Sequence, residues 1–371
     1  MPRLRRAVAT QARGLLCVLF VRLGALSADA RAGWGVRVLS EERLRTIWYG
    51  DNAPSLWLRL LSAAFAGVSG LRRRLYAAGL LPRARLSVPV IVVGNINVGG
   101  TGKTPLTIAL VESLRGRGFK PAVINRGYGG SAGNALRVEA HSDPAVVGDE
   151  ARMIFDATDA PVAVARKRAA AGRLLLRSGD IDVLIADDGL QHYPLCRDVE
   201  ICVIDGERRF GNGCLLPAGP LREAVSRLTC VDFRICNGGT PQTGEVPMAL
   251  IGDAAVCLAD PARRRPLREF AGRRVHAVAG IGNPSRFFAT LRNARIDVVE
   301  HAFPDHHVFA AADLDFGDVV PVLMTEKDAV KCAAIAQAHW WSVPVRAHLP
   351  DEFLDAVAAR VIAAGHAADF R

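Results

Sequence analysis

The chain has 371 residues, half of them apolar and 23% charged, with a formal net charge of +10. That length allows more than one packed unit, and the composition excludes a disordered, collagen-like or disulfide-stapled chain. The charge is uneven: residues 1–90 hold 15 arginines, no lysine and four acids (Asp29, Glu41, Glu42, Asp51), a net +11, which leaves −1 for residues 91–371.

The basic excess thus belongs to an N-terminal arm. Residues 1–40 start with Arg3, Arg5, Arg6 and Arg13 and continue with the apolar run Leu15–Val21, too short to span a bilayer. Residues 45–89 are predicted to associate with a membrane surface. Leu56, Trp57, Leu58, Leu60, Leu61, Ala64, Phe65 and Val68 form an apolar helix, expected to break at Gly67 and Gly70. Arg72-Arg73-Arg74, Arg83 and Arg85 follow, and Trp57 and Tyr76 suit a headgroup-level position. The absence of lysine and the Leu/Trp/Phe content favour an anionic membrane over nucleic acid. The competing reading is a helix packed on the protein's own core.

Next comes Val90-Ile91-Val92-Val93-Gly94-Asn95-Ile96-Asn97-Val98-Gly99-Gly100-Thr101-Gly102-Lys103-Thr104, then the periodic apolar positions Leu106, Ala109, Leu110 and Leu114. A β-branched run, a Gly-rich loop and an amphipathic helix read as strand, phosphate loop and helix. Backbone N–H groups of residues 97–104 (Asn97, Val98, Gly99, Gly100, Thr101, Gly102, Lys103, Thr104) are expected to cradle ATP phosphates at a helix N-terminus. Lys103 reaches the outer phosphates and the Thr104 hydroxyl binds Mg²⁺. Asn97 stands where the general motif has glycine, and asparagine tolerates left-handed dihedrals. Export would part such a loop from ATP, so residues 1–44 are read as an extension rather than a signal peptide.

Residues 90–236 alternate, with strands at 90–94, 121–125, 161–165, 181–186, 199–204 and 231–236 and helices at 104–117, 148–157 and 166–178. Residues 237–252 are rich in Gly, Thr and Pro and read as a linker. A second α/β unit, 253–371, follows, with strands at 275–280, 297–302 and 320–325 and helices at 284–293, 311–318, 326–337 and 351–364. The strand Ile181–Ala186 ends in Asp187-Asp188. In phosphate-loop proteins an acid there holds Mg²⁺, although Asp-Asp-Gly is also a plain turn signal. The eight cysteines show no C-x-x-C and no Cys/His pairing, which implies a reduced compartment and no structural zinc.

Several blocks together closely resemble the tetraacyldisaccharide 4′-kinase family, the lipid A 4′-kinases of Gram-negative bacteria. They are Gly99–Pro105, Arg126-Gly127-Tyr128-Gly129-Gly130, Val147-Gly148-Asp149-Glu150, Asp187–His192, Phe210–Gly213, Leu216–Glu223 and Met324–Lys331. The likeness runs from about residue 45 to residue 350. It implies two α/β/α lobes, one of phosphate-loop NTPase type and a smaller second one, with catalysis in the cleft between them. It also implies ATP- and Mg²⁺-dependent phosphorylation of the 4′-hydroxyl of a lipid A disaccharide precursor at the inner face of the inner membrane. By motif, Asp149 matches a catalytic carboxylate and His306 its histidine partner, with neighbouring His307 the other candidate. Asp187 and Asp188 match metal-site acids, and Arg222 and Glu223 a nucleotide-contacting pair. Three positions depart from the family pattern, Asn125 for Ser and Ala151 and Ala224 for Pro. None removes a reactive group; they bear on loop rigidity.

A sugar hydroxyl is a weak nucleophile, and a carboxylate oriented by a histidine can take its proton while Lys103 and Mg²⁺ neutralise the phosphoryl group. Arg126, after the second strand, is a candidate for the substrate's existing phosphate. His192 stays outside the catalytic set. Thr325-Glu326-Lys327-Asp328 has its lysine one place late for a guanine-binding motif, which argues against a GTPase. The remaining alternative is a regulatory ATPase of the membrane-partitioning type, which has no use for a base assembled from two lobes.

Overall fold

The computed structural model describes residues 41–369; the apolar run and arginines of residues 1–40 lie outside them. Among the described residues the chain forms two sheets. The larger contains β1 (Val90–Gly94), β2 (Pro121–Asn125), β3 (Leu136–Arg137), β4 (Val162–Val164), β5 (Val183–Ala186), β6 (Val199–Asp205), β7 (Phe233–Asn237) and β8 (Val246–Ile251). The smaller contains β9 (Ala254–Cys257), β10 (Arg264–Pro266), β11 (Arg274–Ala279), β12 (Asp297–Ala302), β13 (Val322–Thr325) and β14 (Trp340–Val343). The chain then returns to the larger sheet as β15 (Arg346–His348), giving the orders β15-β8-β7-β6-β1-β5-β2-β4-β3 and β10-β9-β14-β13-β11-β12.

β1 lies at the switch point of the first sheet, parallel to β5 on one side and β6 on the other, with Val92 opposite Ala186 and Glu200. All five β1 residues are buried, as a parallel strand covered on both faces requires. One face packs against α3 (Lys103–Gly116) through Leu106, Leu110 and Leu114. The other packs under α6 (Arg168–Ser178) through Leu175. Ligands bind at the carboxyl ends of such strands beside the switch point.

Several elements differ from the sequence expectation. The stretch 237–252 is not only a linker, because β8 pairs in parallel with β7 inside the first sheet. The C-terminal segment does not stay with the second sheet either. β15 pairs antiparallel with β8, and α9 (Asp351–Asp369) buries Phe353, Val357 and Val361 in the core of the first sheet. Period-2 alternation cannot say which sheet a short strand joins. The helix expected at 284–293 forms as α7 (Pro284–Asn293), that at 311–318 shrinks to a 3₁₀ turn, Ala311–Leu314, and that expected at 326–337 stops at Cys332 as α8 (Glu326–Cys332).

The arm begins with α1 (Glu41–Tyr49), where Trp48 Nε1 donates to the Pro217 carbonyl at 2.9 Å. α2 (Leu56–Ala77) then runs unbroken through Gly67 and Gly70, against expectation. A glycine costs a helix interior only about 1 kcal/mol, less than 22 residues of hydrogen bonding supply. Its inner face is polar at the contact: Ser62 Oγ donates to the Leu215 carbonyl at 2.9 Å. Its apolar stripe faces away from the core, with Leu56 73%, Trp57 69%, Leu60 55% and Leu71 58% exposed. Arg72 behaves differently from its neighbours, with its guanidinium over the Tyr76 and Tyr193 rings. No helix among the described residues is long and apolar enough to cross a membrane.

Candidate active site

The loop between β1 and α3 is braced from inside. Asn95 Nδ2 donates to Thr101 Oγ1 at 3.1 Å, and Asn237 Nδ2, at the end of β7, donates to the Thr101 carbonyl at 2.9 Å. Gly102 caps α3 at φ 91°, where a Cβ would collide with the Asn237 amide, so glycine is demanded twice over. Asn97 does not use its left-handed freedom. It pairs with Leu221 as an isolated bridge, and its amide donates to the Arg209 carbonyl at 2.7 Å. Gly99 and Gly102 carry the positive φ angles instead.

Lys103 Nζ lies 3.4 Å from Asp188 Oδ1, and Arg222 3.5 Å from Asp188 Oδ2. Asp188 sits at φ 45°, in the left-handed region. The turn is held by Arg168, whose buried guanidinium donates to the Asp188 carbonyl at 2.6 Å and the Asp187 carbonyl at 3.4 Å. Burial lowers that guanidinium to about 10, still charged at neutral pH. The two acids then diverge. Asp187 is wholly buried, accepting from Thr107 at 3.0 Å and Asn125 at 3.1 Å; burial, with Glu150 and Asp188 nearby, pushes its carboxyl up. For Asp188 burial works the same way, but Lys103, Arg222 and Arg168 outweigh it and hold the carboxyl well below the usual range. Asp188 Oδ1 is buried without a hydrogen bond, whereas both Asp187 oxygens are occupied.

Asn125, the departure from serine, links the loops: its Oδ1 accepts from Gly127 N at 2.9 Å while its amide reaches Asp187. Arg126 beyond it is exposed and has no side-chain partner among the described residues. Glu223 is buried, its carboxylate taken up by the Tyr193 hydroxyl and by Gln191 at 3.2 Å. It braces the Arg222 segment from within.

α4 (Pro144–Val147) ends at Gly148, whose φ of 90° lets α5 (Asp149–Thr158) start in a new direction. Asp149 opens that helix, buried, with Oδ2 3.0 Å from Nδ1 of His306 in the second lobe. Burial opposes the Asp149 charge, but the His306 hydrogen bond and Lys327 outweigh it, leaving the carboxyl below its usual value. Burial likewise opposes the His306 charge, and the Asp149 hydrogen bond more than offsets it, raising the imidazole. His306 stands at φ 62°, its ring 4.9 Å from that of Tyr128. His307 is engaged elsewhere, bonding Asp313 at 3.0 Å and packing on Phe303 and Phe309.

Sequence reasoning passed over three contributors. Lys327 at the start of α8 (Glu326–Cys332) bonds Glu150 and Asp305; its motif counts toward the family likeness and against guanine binding, with no role given to the lysine. Arg168 carries no sequence signal, because its partners are backbone carbonyls 19 and 20 residues away. Arg208 donates to the Gly100 carbonyl at 2.8 Å and the Gly282 carbonyl at 3.3 Å, tying the phosphate loop to the second lobe. There a Cβ on Gly282 would collide with the Gly100 backbone.

Known proteins resemble this chain in sequence and in fold. Residues 54–362 match the family tetraacyldisaccharide-1-P 4′-kinase. The chain is 52% identical to a tetraacyldisaccharide 4′-kinase of Stenotrophomonas maltophilia over 325 residues, 85% of this chain and 95% of the relative. It is 49% identical to the enzyme of that name from Methylobacillus flagellatus over 315 residues, 85% of this chain and 94% of the relative. Among solved structures it is similar to the "apo" form of LpxK from Aquifex aeolicus in complex with ATP. The TM-score is 0.69 at 27% identity, covering 82% of this chain and 98% of that one. With over four-fifths of its length matched at about half identity, the chain belongs to the tetraacyldisaccharide-1-P 4′-kinase family.

Proposed function

We propose that this protein transfers the γ-phosphoryl group of ATP to the 4′-hydroxyl of a tetraacyldisaccharide 1-phosphate, a step of lipid A biosynthesis. The observation that carries the reading is the pairing of Asp149 with His306 across the two lobes at 3.0 Å, beside a phosphate loop whose lysine contacts a strand-end acid. The two parts are neighbours: Asn125 bonds both Asp187 and Gly127 N, and the Gly127–Tyr128 backbone packs against Gly148, next to Asp149. Asp149 takes the proton of the 4′-hydroxyl, and His306 orients its carboxylate. Lys103 and Arg222, now paired with Asp188, move onto the phosphates. Arg126 meets the phosphate already on the acceptor.

The residues fit Mg²⁺. The Thr104 hydroxyl and Asp188 Oδ1, buried with only the Lys103 ammonium at 3.4 Å beside it, offer hard oxygens, and an ion that arrives with nucleotide phosphates needs only one or two protein ligands. Asp187 accepts one hydrogen bond at each oxygen, which leaves a lone pair on each, and it is the second acid of the proposed site. When bound, the ion neutralises charge on the phosphates.

α2 supports work at an anionic membrane surface, in line with the inner-leaflet placement implied by the family. Burying an exposed Leu or Trp is worth about 1.5–3 kcal/mol, and each arginine near an anionic leaflet adds about 1 kcal/mol. A stripe left facing solvent gains neither. Such an enzyme meets a lipid acceptor at raised effective concentration.

The test is a kinase assay with purified protein, γ-labelled ATP and the disaccharide 1-phosphate, with the labelled position mapped on the product. Label at the 4′ position is expected. ATP hydrolysis indifferent to the acceptor would instead mean a regulatory ATPase.

A further inference from the structure

Lys327 stands beside the dyad with its side chain 15% exposed. Its ammonium is 3.2 Å from Glu150 Oε1, 3.2 Å from Asp305 Oδ1, 3.4 Å from His306 Nε2 and 3.8 Å from Asp149 Oδ2. Glu150 belongs to α5 of the first lobe, Asp305 and Lys327 to the second, so this ion pair crosses the same gap as the dyad. Burial alone would lower the ammonium, but Glu150, Asp149 and Asp305 outweigh it and keep the group charged.

The donor inventory then decides the histidine. An ionised carboxylate only accepts and an ammonium only donates. His306 has Asp149 at Nδ1 and Lys327 at Nε2. In the neutral ring the proton therefore sits at Nδ1, and Nε2 presents its lone pair to Lys327, which also holds Asp305, 3.8 Å from Nε2. We infer that Lys327 is a positioning residue that fixes His306 as the neutral Nδ1–H tautomer, leaving Asp149 as the proton acceptor. By bridging Glu150 and Asp305 it ties that tautomer to the meeting of the lobes. The role in catalysis rests on the reading of Asp149 and His306 given above; the tautomer does not.

The groups facing His306 are Asp149 from α5, Asp305 from its own loop, Lys327 from α8, and the Tyr128 ring from the loop after β2. Behind them, Glu150 holds Lys327, and Lys331 acts on Asp149. The two carboxylates beside the ring favour an imidazolium and Lys327 opposes it. Without Lys327 the nearest opposing charge goes, and Glu150 and Asp305 are left uncompensated. Both changes drive protonation of Nε2 to higher pH. An imidazolium would grip Asp149 more tightly and weaken it as a base.

The experiment is long-range ¹H–¹⁵N spectroscopy of the full chain labelled in its histidine rings, with His306 assigned by the signals lost in His306→Gln. Wild type should show the proton on Nδ1. In Lys327→Met the protonation midpoint should rise by about one pH unit. The acid limb of kcat/KM should move with it, so that the loss is greater at acid than at alkaline pH. Lys327→Arg, which keeps the charge, should return both toward wild type. An Nε2–H tautomer in wild type, or an equal loss at every pH with an unmoved midpoint, overturns the inference. If Lys327→Met does not fold, the wild-type tautomer and the Lys327→Arg profile decide alone. Failure of wild type to phosphorylate the disaccharide would overturn the proposed function while leaving the tautomer measurement standing.

Discussion

Asp188 and His306 are both held at positive φ, 45° and 62°, a backbone state that a non-glycine residue adopts only at a cost of ~1–3 kcal/mol. They are held by opposite means. Asp188 is locked within one lobe: Arg168 bonds the turn's carbonyls, and Asp187 N and Gly189 N bond the carbonyls of Ile124 and Val93 at 3.1 and 2.9 Å. His306 lies on a loop, and its Nδ1 partner, Asp149, comes from the other lobe. The Asp188 side is therefore held within one lobe, while the Asp149–His306 pair spans both. On the function proposed above, the base is complete only where the lobes meet, the arrangement by which an enzyme excludes water as it assembles its catalytic groups.

The largest effect should come from the Asp188 side. Lys103→Ala is expected to reduce kcat by about 10³-fold or more, since it removes charge stabilisation of the transferring group. Wild-type turnover in that variant would end the phosphate-loop reading. On the assembled side, Asp149→Asn and His306→Ala should each lower kcat by about 10²–10⁴-fold with little change in KM for ATP. Their double variant should be little worse than the worse single, because the two act as one unit. Multiplicative losses would show two independent groups.

A third change sharpens the contrast. Arg168→Leu should lose about 1–3 kcal/mol of stability, because two buried carbonyls lose their donor. His306→Ala should cost less, because Lys327 and the Glu150 amide stay near the Asp149 carboxylate, and calorimetry separates the two cases. The assembled side should also carry the pH dependence. His306 is raised, so its imidazolium persists above the ordinary value of about 6.5. Activity that needs the neutral ring should therefore rise with pH through a midpoint above that value. The limb should vanish in His306→Gln, as a pH profile of kcat/KM would reveal.

The smallest effect concerns the arm. Trp57→Ser with Leu60→Ser should weaken sedimentation with anionic vesicles and lower activity on vesicle-embedded acceptor, sparing activity in detergent. Arg73→Gln with Arg74→Gln should do the same more weakly and only at low salt. Arg72 is better left intact, because it packs on Tyr76 and Tyr193. Vesicle binding that survives both double variants removes the membrane role from this helix.

The sequence by itself determined the local features. Strand, loop and helix at Val90–Gly116, the strand ending at Asp187-Asp188, and the apolar, arginine-flanked arm all follow from periodicity and residue type over short spans, where each residue's neighbours in the chain are also its neighbours in space. Even the choice of His306 rested on a family likeness, and only the tertiary structure separated it from His307, one residue away, by giving each a different carboxylate. The tertiary structure alone also decided that the last strand and helix return to the first sheet. It brought Lys327 to His306 and Arg168 beneath the Asp187-Asp188 turn. The contacts of Arg168 with Asp187, Lys327 with His306 and His306 with Asp149 join residues 19, 21 and 157 positions apart in the chain. A contact of that kind leaves no local period or propensity, because its stabilisation comes from burial and charge pairing that exist only after the sheets have formed.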